Sequence, residues 1–277
     1  MKAPTISNKL SFSPNHSGIY PPLGFVPVAD AALGNGDQFG LYWSYGREDQ
    51  PPLVCDMIHD ESVLIPAFSS VDVFCGWVEE NDHERGDEVG DPAAPQVRFH
   101  QAKQFFASDP GTAVQKLQEV CEVFPESAEY WFSLATQRRR IGNALGAVQA
   151  GIRAVASNWV FGRPPQGAIR LLQWARTQDI LPDDPLVQLT GQHGLSFGGT
   201  KENEIYLAMG TCIESYLDSD TPVTGLLMNQ NFAYMMSRET VSFQERYGFN
   251  ADAWLDRQTG LCEQYLGDSR LTITFAD

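Results

Sequence analysis

The chain has 277 residues, 43% of them hydrophobic, and 35 acidic against 19 basic side chains give it a net charge of −16. That length allows two domains with separate cores. The charge repels nucleic acid and anionic lipid surfaces. With no apolar run of 18 residues or more, no transmembrane helix is expected.

The first 19 residues lack an apolar signal core and read as a polar, partly disordered arm rather than a secretory leader. Residues 20–80 have strand character. An aromatic run at 40–46 and short apolar segments at 52–59 and 63–68 are separated by polar turns, Arg47-Glu48-Asp49-Gln50 and Asp60-Glu61-Ser62, which predicts a meander of short antiparallel strands. Ser69-Ser70 then precedes Val71, Val73, Phe74 and Trp77, a serine N-cap before an apolar helical face. Residues 79–95 are charged, hold Gly and Pro and carry few apolar side chains, so they are expected to form an exposed acidic linker.

From Val97 the pattern is helical. Trp131, Leu134, Ala135, Gly142, Ala147 and Ala154 fall at the recurring offsets of a ~34-residue helical-hairpin repeat. One period earlier, Ala113, Leu117, Val120 and Pro125 occupy second-helix and closing positions. Residues 110–178 therefore resemble tandem tetratricopeptide hairpins, with departures at Arg138, where an aromatic is usual, and at Val160, near the expected closing proline. A further helix is expected after Pro164-Pro165, with Ile169, Leu172 and Ala175 on one face. Residues 186–277 read mainly as helix. Ile205, Met209, Cys212, Ile213, Tyr216 and Leu217 form one stripe. Thr221-Pro222 opens a helix bearing Leu226, Leu227 and Tyr234. Asn250 opens another, bearing Trp254, Leu255, Leu261, Cys262 and Tyr265, with Gly267 as its stop. Residues 271–275 alternate as a strand, which must pair elsewhere because a lone strand is unstable; pairing near the N-terminus would join the chain ends. The expected fold class is α+β: a small N-terminal antiparallel sheet with a helix, then a mainly α-helical, tetratricopeptide-like region.

The sequence offers little chemistry. Cys55, Cys75, Cys121, Cys212 and Cys262 are widely spaced and form no CxxC pair, so no zinc site or disulfide framework is expected and a reducing cytosol fits. Cys55 and His59 lie four apart, but their neighbours suggest a strand ending in a turn, the wrong geometry for a metal. The glycines at 191–199 lack the Lys-Ser/Thr ending of a phosphate loop and read as a flexible connector. No catalytic set, metal or cofactor is called for; an enzyme of unrecognised type is the minor alternative.

Residues 34–78 resemble the SUKH superfamily, which includes a fungal cell-wall regulator and many bacterial immunity proteins. The features that carry the resemblance are the Gly34-Asn35-Gly36-Asp37 turn, the aromatic strand from Phe39 to Trp43, a strand ending in His59-Asp60-Glu61, the Phe68-Ser69-Ser70 segment and the helix with Phe74 and Trp77. The resemblance implies a non-catalytic protein that binds and occludes a toxin, and a basic toxin suits the acidic chain. The contact residues it would carry over are Asp37, Tyr42, Trp43, Glu48, Asp49 and His59. One face of the aromatic set Phe39, Tyr42, Trp43 and Tyr45 is expected to build the core; the other either joins it or meets a partner. The other function reading is a helical-repeat adaptor whose groove uses Phe132, Arg139 and Arg140. The Arg138-Arg139-Arg140 run either receives an acidic peptide or carboxylate or pairs with acidic groups on the protein's own surface.

Overall fold

In the computed structural model, residues 1–3, 11–12, 18–32, 36–81, 91–198, 202–271 and 273–275 are described. The chain is α+β. Strands β2 (Phe25–Ala32), β3 (Gln38–Tyr42), β4 (Leu53–Ile58) and β5 (Val63–Phe68) form one antiparallel sheet in meander order, and helix α1 (Val71–Glu80) follows directly. Helices account for the rest of the long elements: α2 (Pro95–Lys103), α3 (Pro110–Val123), α4 (Ala128–Arg140), α5 (Ala144–Ala156), α6 (Gln166–Thr177), α7 (Pro185–His193), α8 (Ile205–Leu217), α9 (Pro222–Met236), α10 (Val241–Arg246) and α11 (Ala251–Leu266). Two compact units result. The first joins Met1–His100 to Thr259–Asp277, and the second is Gln101–Gln258.

The sheet forms because its strands are rich in β-branched and aromatic residues and its links are polar and short. Phe39, Leu41, Trp43 and Val54 face α1, where Phe39, Phe68, Phe74 and Trp77 meet with ring centroids 5.2–6.2 Å apart. Each such pair adds about 0.5–1.5 kcal/mol beyond its buried area. The Ser70 hydroxyl accepts from the Val73 amide at 3.3 Å and caps α1, as its sequence position predicts. Val73 itself points outward and is 41% exposed, so the apolar face of α1 is Val71, Phe74 and Val78 with Trp77 beside them. The opposite face of the sheet is covered as well. Phe25, Tyr42, Leu53 and Cys55 are buried, and so is Tyr45 just beyond β3.

The chain ends meet. A two-residue strand β1 (Lys2–Ala3) pairs in parallel with β6 (Thr274–Phe275), and the N-terminal ammonium contacts Asp268. Met1 is buried in the sheet core, so the start of the expected polar arm is anchored; residues 4–10 and 13–17 lie outside the described residues. Close by, Arg270 is fully buried. Its guanidinium pairs with Glu48 and donates to the carbonyls of Leu23 at 3.0 Å, Ser44 at 3.3 Å and Trp43. The Tyr45 ring lies 3.9 Å from it. Gly24, at φ +90°, leaves the space; a Cβ there would strike the guanidinium. The expected exposed linker also changes at its end. Asp91 is buried and accepts amide hydrogens from Ser69 at 2.6 Å and Ala93 at 2.8 Å, while residues 82–90 lie outside the described residues.

In the second unit each helix from α3 to α9 packs on the next, giving a run of helical hairpins. The boundaries follow local chemistry. Asp109 caps α3 with Pro110 in its first turn, Ser127 caps α4, Asn143 caps α5 and Asp184 caps α7 with Pro185 following. The small residues Ala147, Ala150, Gly151 and Ala154 let α5 approach its neighbours, and a Cβ on Gly151 would strike Leu171 of α6. The Asn231 side chain of α9 reaches back to the end of α5, accepting from the Trp159 amide at 2.9 Å and donating to the Ser157 carbonyl at 2.8 Å. Val160, which stands near the expected closing proline, sits in a buried 3-10 turn, Trp159–Phe161. The expected connector at 191–199 is helical at its start, because α7 runs to His193 before Gly194 ends it at φ +63°. No helix among the described residues is long and apolar enough to cross a membrane.

Two predictions follow from this packing. Arg270→Ala strands Glu48 among buried carbonyls and is expected to cost about 3–5 kcal/mol; Arg270→Lys recovers little of it, because an ammonium cannot span the same donors. Hydrogen exchange at β2, β3 and β4 reads the loss. Burial pushes the thiols of Cys121, Cys212 and Cys262 up to about 12. Cys55 is fully buried and Cys75 half-buried. A disulfide-exchange reagent at about pH 8 is therefore expected to modify Cys75 alone rapidly, with the other four reacting only after denaturation.

Candidate functional site

Helix α4 presents two working faces. Phe132, Ala135, Thr136 and Arg139 recur at helical spacing and turn toward α6. There they meet Gly167, Arg170 and Leu171 around an open cavity of about 510 Å³, with Arg140 at one end. The floor is apolar and the rim holds three guanidinium groups. Gly167 is required where it stands, because a Cβ would collide with the Phe132 ring. The Thr136 hydroxyl is already turned to the Phe132 carbonyl, at 2.9 Å.

The arginines are held without acids. The Arg139 guanidinium stacks over the Trp174 ring at 4.4 Å. Arg140 donates to the carbonyls of Phe106 and Ala107 and to Gln137 Oε1 at 3.0 Å. Arg138 turns to the other side of the helix and donates to the Gly146 carbonyl at 3.1 Å. Arg170 is exposed and makes no hydrogen bond or ion pair among the described residues. None of the four pairs with a carboxylate among the described residues, so the alternative in which the arginine run pairs with the protein's own acidic surface is not the arrangement seen. Aromatic stacking and carbonyl contacts orient the guanidinium planes and leave their charge uncancelled.

The sequence places Phe132, Arg139 and Arg140 in one groove, and the structure brings all three to this cavity. Arg170 completes it. It stands one ~34-residue period after Thr136, a position that was not among the expected groove residues.

The residues proposed in the sheet unit fare differently. Tyr42 and Trp43 are each 1% exposed and belong to the interior, because both faces of β3 are covered. Phe39 and Tyr45 are buried too, so no member of the aromatic set offers a ring to a partner. Glu48 is turned inward and held by Arg270. Asp49 is exposed. Asp37 and His59 are brought together, with Asp37 Oδ1 accepting from the His59 amide and lying 2.9 Å from its Nδ1, while Asp60 approaches Nε2 at 2.9 Å. His59 thereby closes the β4–β5 turn against Gly36, with no metal-holding cluster among the described residues. Gly34 and Asn35 lie outside the described residues.

Comparison with known proteins matches a YfbP N-terminal domain over residues 10–87 and a YfbP C-terminal domain over residues 196–274. An Escherichia coli (strain K12) protein named "Uncharacterized protein YfbP" is 41% identical over 279 residues, covering 97% of this chain and 99% of that protein. No solved structure matches. These matches overturn the SUKH resemblance: residues 34–78 fall wholly within the first domain match, and no SUKH model matches. The fold gives the physical reason. The segment before the turn is strand β2, where that superfamily has helices, and a strand meander capped by a helix is common to many α+β folds. The toxin-occlusion reading loses the resemblance that carried it.

Proposed function

The chain belongs to the YfbP family, and we propose, from the geometry of its groove, that it is a non-catalytic adaptor whose α4–α6 groove binds an acidic segment of a partner protein. The observation that carries this reading is the convergence of Arg139, Arg140 and Arg170 on one cavity, none of them paired with a carboxylate among the described residues. An apolar floor of Phe132, Ala135 and Leu171 beneath that rim suits a peptide with a hydrophobic residue flanked by Asp or Glu. A guanidinium fork meets a carboxylate through two parallel hydrogen bonds, which supplies orientation as well as charge.

The net charge of −16 opposes such a ligand at long range. Magnitudes decide the balance. At physiological ionic strength the Debye length is about 8 Å, so most of the surface charge is screened from a peptide in the groove while guanidinium groups at contact are not. Among the described residues the lining holds no histidine, cysteine or carboxylate for proton transfer or nucleophilic attack, in keeping with binding rather than chemistry.

The test uses fluorescently labelled peptides with acidic, neutral and basic sequences around one aromatic or leucine anchor. The wild-type protein is expected to select the acidic set. The double substitution Arg139→Glu with Arg140→Glu, and separately Arg170→Glu, is expected to weaken binding at least about 100-fold, corresponding to about 2.8 kcal/mol, without altering circular dichroism. Unchanged affinity in the folded variants, or equal binding of the neutral set, overturns the proposal.

A further inference from the structure

The other face of α4 opens on a second cavity, of about 420 Å³, walled by α3, α4, α5, the segment before α7, and the facing ends of α8 and α9. It draws polar side chains from separate hairpins, and its lining has both signs of charge. Arg138 and Arg153 supply the positive part. Arg153 lies 4.7 Å over the Trp131 ring, and Trp131 is fixed in turn by its indole N–H, which donates to the Pro125 carbonyl at 2.7 Å. Neither arginine pairs with a carboxylate among the described residues. Burial draws the Arg138 pKa down, and the charge of Arg153 adds to the effect. Two neighbouring guanidinium groups that repel each other, one of them partly buried, form an arrangement that a bound anion would relieve.

Glu122 of α3 adds one carboxylate to the lining and has partners of its own, and Asp184 supplies the other. Its Oδ1 is saturated, accepting from the Tyr216 hydroxyl at 2.9 Å and from the Leu186 and Val187 amides at 3.0 and 3.2 Å. Its Oδ2 accepts no hydrogen bond among the described residues, and the residue lines the cavity. The N-cap of α7 uses one carboxylate oxygen and leaves the second open to solvent or to a ligand. Burial raises its pKa, the response of a carboxylate lacking a cationic partner.

We infer that this cavity binds a small zwitterion of the amino-acid class, with its carboxylate on Arg138 and Arg153 and its ammonium on the open oxygen of Asp184. The volume is near the lower end for small-molecule sites and too small for a folded partner. A doubly charged anion such as phosphate satisfies the arginines but is repelled by Asp184 and Glu122, whereas a zwitterion answers both charges. The ligand would bridge α4 and α5 to the start of α7, so its binding would stiffen the hairpin stack.

The experiment screens the common free amino acids singly, at about 10 mM, for a rise in the melting temperature of the full chain, with isothermal titration calorimetry on any that act. At least one is expected to stabilise the protein with one site per chain. Arg153→Gln and Asp184→Asn are each expected to weaken it at least about 10-fold, the loss of one charge-assisted contact. Asparagine keeps the N-cap, so Asp184→Asn separates ligand binding from folding. The variant Arg139→Glu with Arg140→Glu keeps full amino-acid binding, which distinguishes this site from the peptide groove. The inference is overturned if no amino acid binds the wild type, if the folded Arg153 and Asp184 variants bind undiminished, or if inorganic phosphate binds as tightly as the best amino acid.

Discussion

The buried guanidinium of Arg270 is the constraint on which the sheet unit depends. A cation taken out of water carries a penalty of several kcal/mol unless its donors are met and its charge balanced. Here Glu48 balances the charge, three main-chain carbonyls accept from the two terminal nitrogens and Tyr45 covers the face. Those partners come from the entry to β2 and from the segment after β3, so one side chain near the C-terminus fixes the geometry of the sheet's leading edge. Arg270 holds a left-handed backbone at φ +62°, a strained conformation for a side chain with a Cβ, and it persists where surrounding contacts over-determine it. The parallel pairing of β1 with β6 is only two residues long and needs this neighbouring anchor, because so short a ladder is not stable alone.

The helical unit obeys a different constraint. Each helix buries one stripe against its neighbours, and Asn231 then ties α9 to the end of α5. Helix α4 is central because its residues divide between two cavities. Phe132, Ala135, Thr136 and Arg139 face one, while Trp131 and Arg138 face the other. The consecutive arginines of the run are about 100° apart on the helix, so Arg138 and Arg139 serve opposite walls. A sequence motif that reads as one basic patch is therefore split into two environments by helical geometry.

Most element boundaries were legible because they rest on local chemistry. Ser70, Asp109 and Asn250 cap helices where hydrogen-bonding side chains precede apolar periodicity, and Gly267 stops α11 with φ +70°. The groove residues Phe132, Arg139 and Arg140 were legible through repeat spacing. Tyr42 and Trp43 were open to two readings because alternation shows only that successive side chains face opposite sides. It does not show whether the second side is covered, which depends on chain distant in sequence. Glu48 sits in a polar turn and reads as a surface acid; only the arrival of Arg270, 222 residues later, turns it inward.

The sequence by itself determined the α+β class, the strand meander with its capped helix, the helical hairpins and the basic character of one helix end, because short-range patterns of polarity, capping and period encode each of them. The tertiary structure decided which aromatics are interior, where the terminal strand pairs, and which arginines and carboxylates share a cavity. Those outcomes depend on contacts between residues tens to hundreds of positions apart, and a single sequence carries no local signal for them.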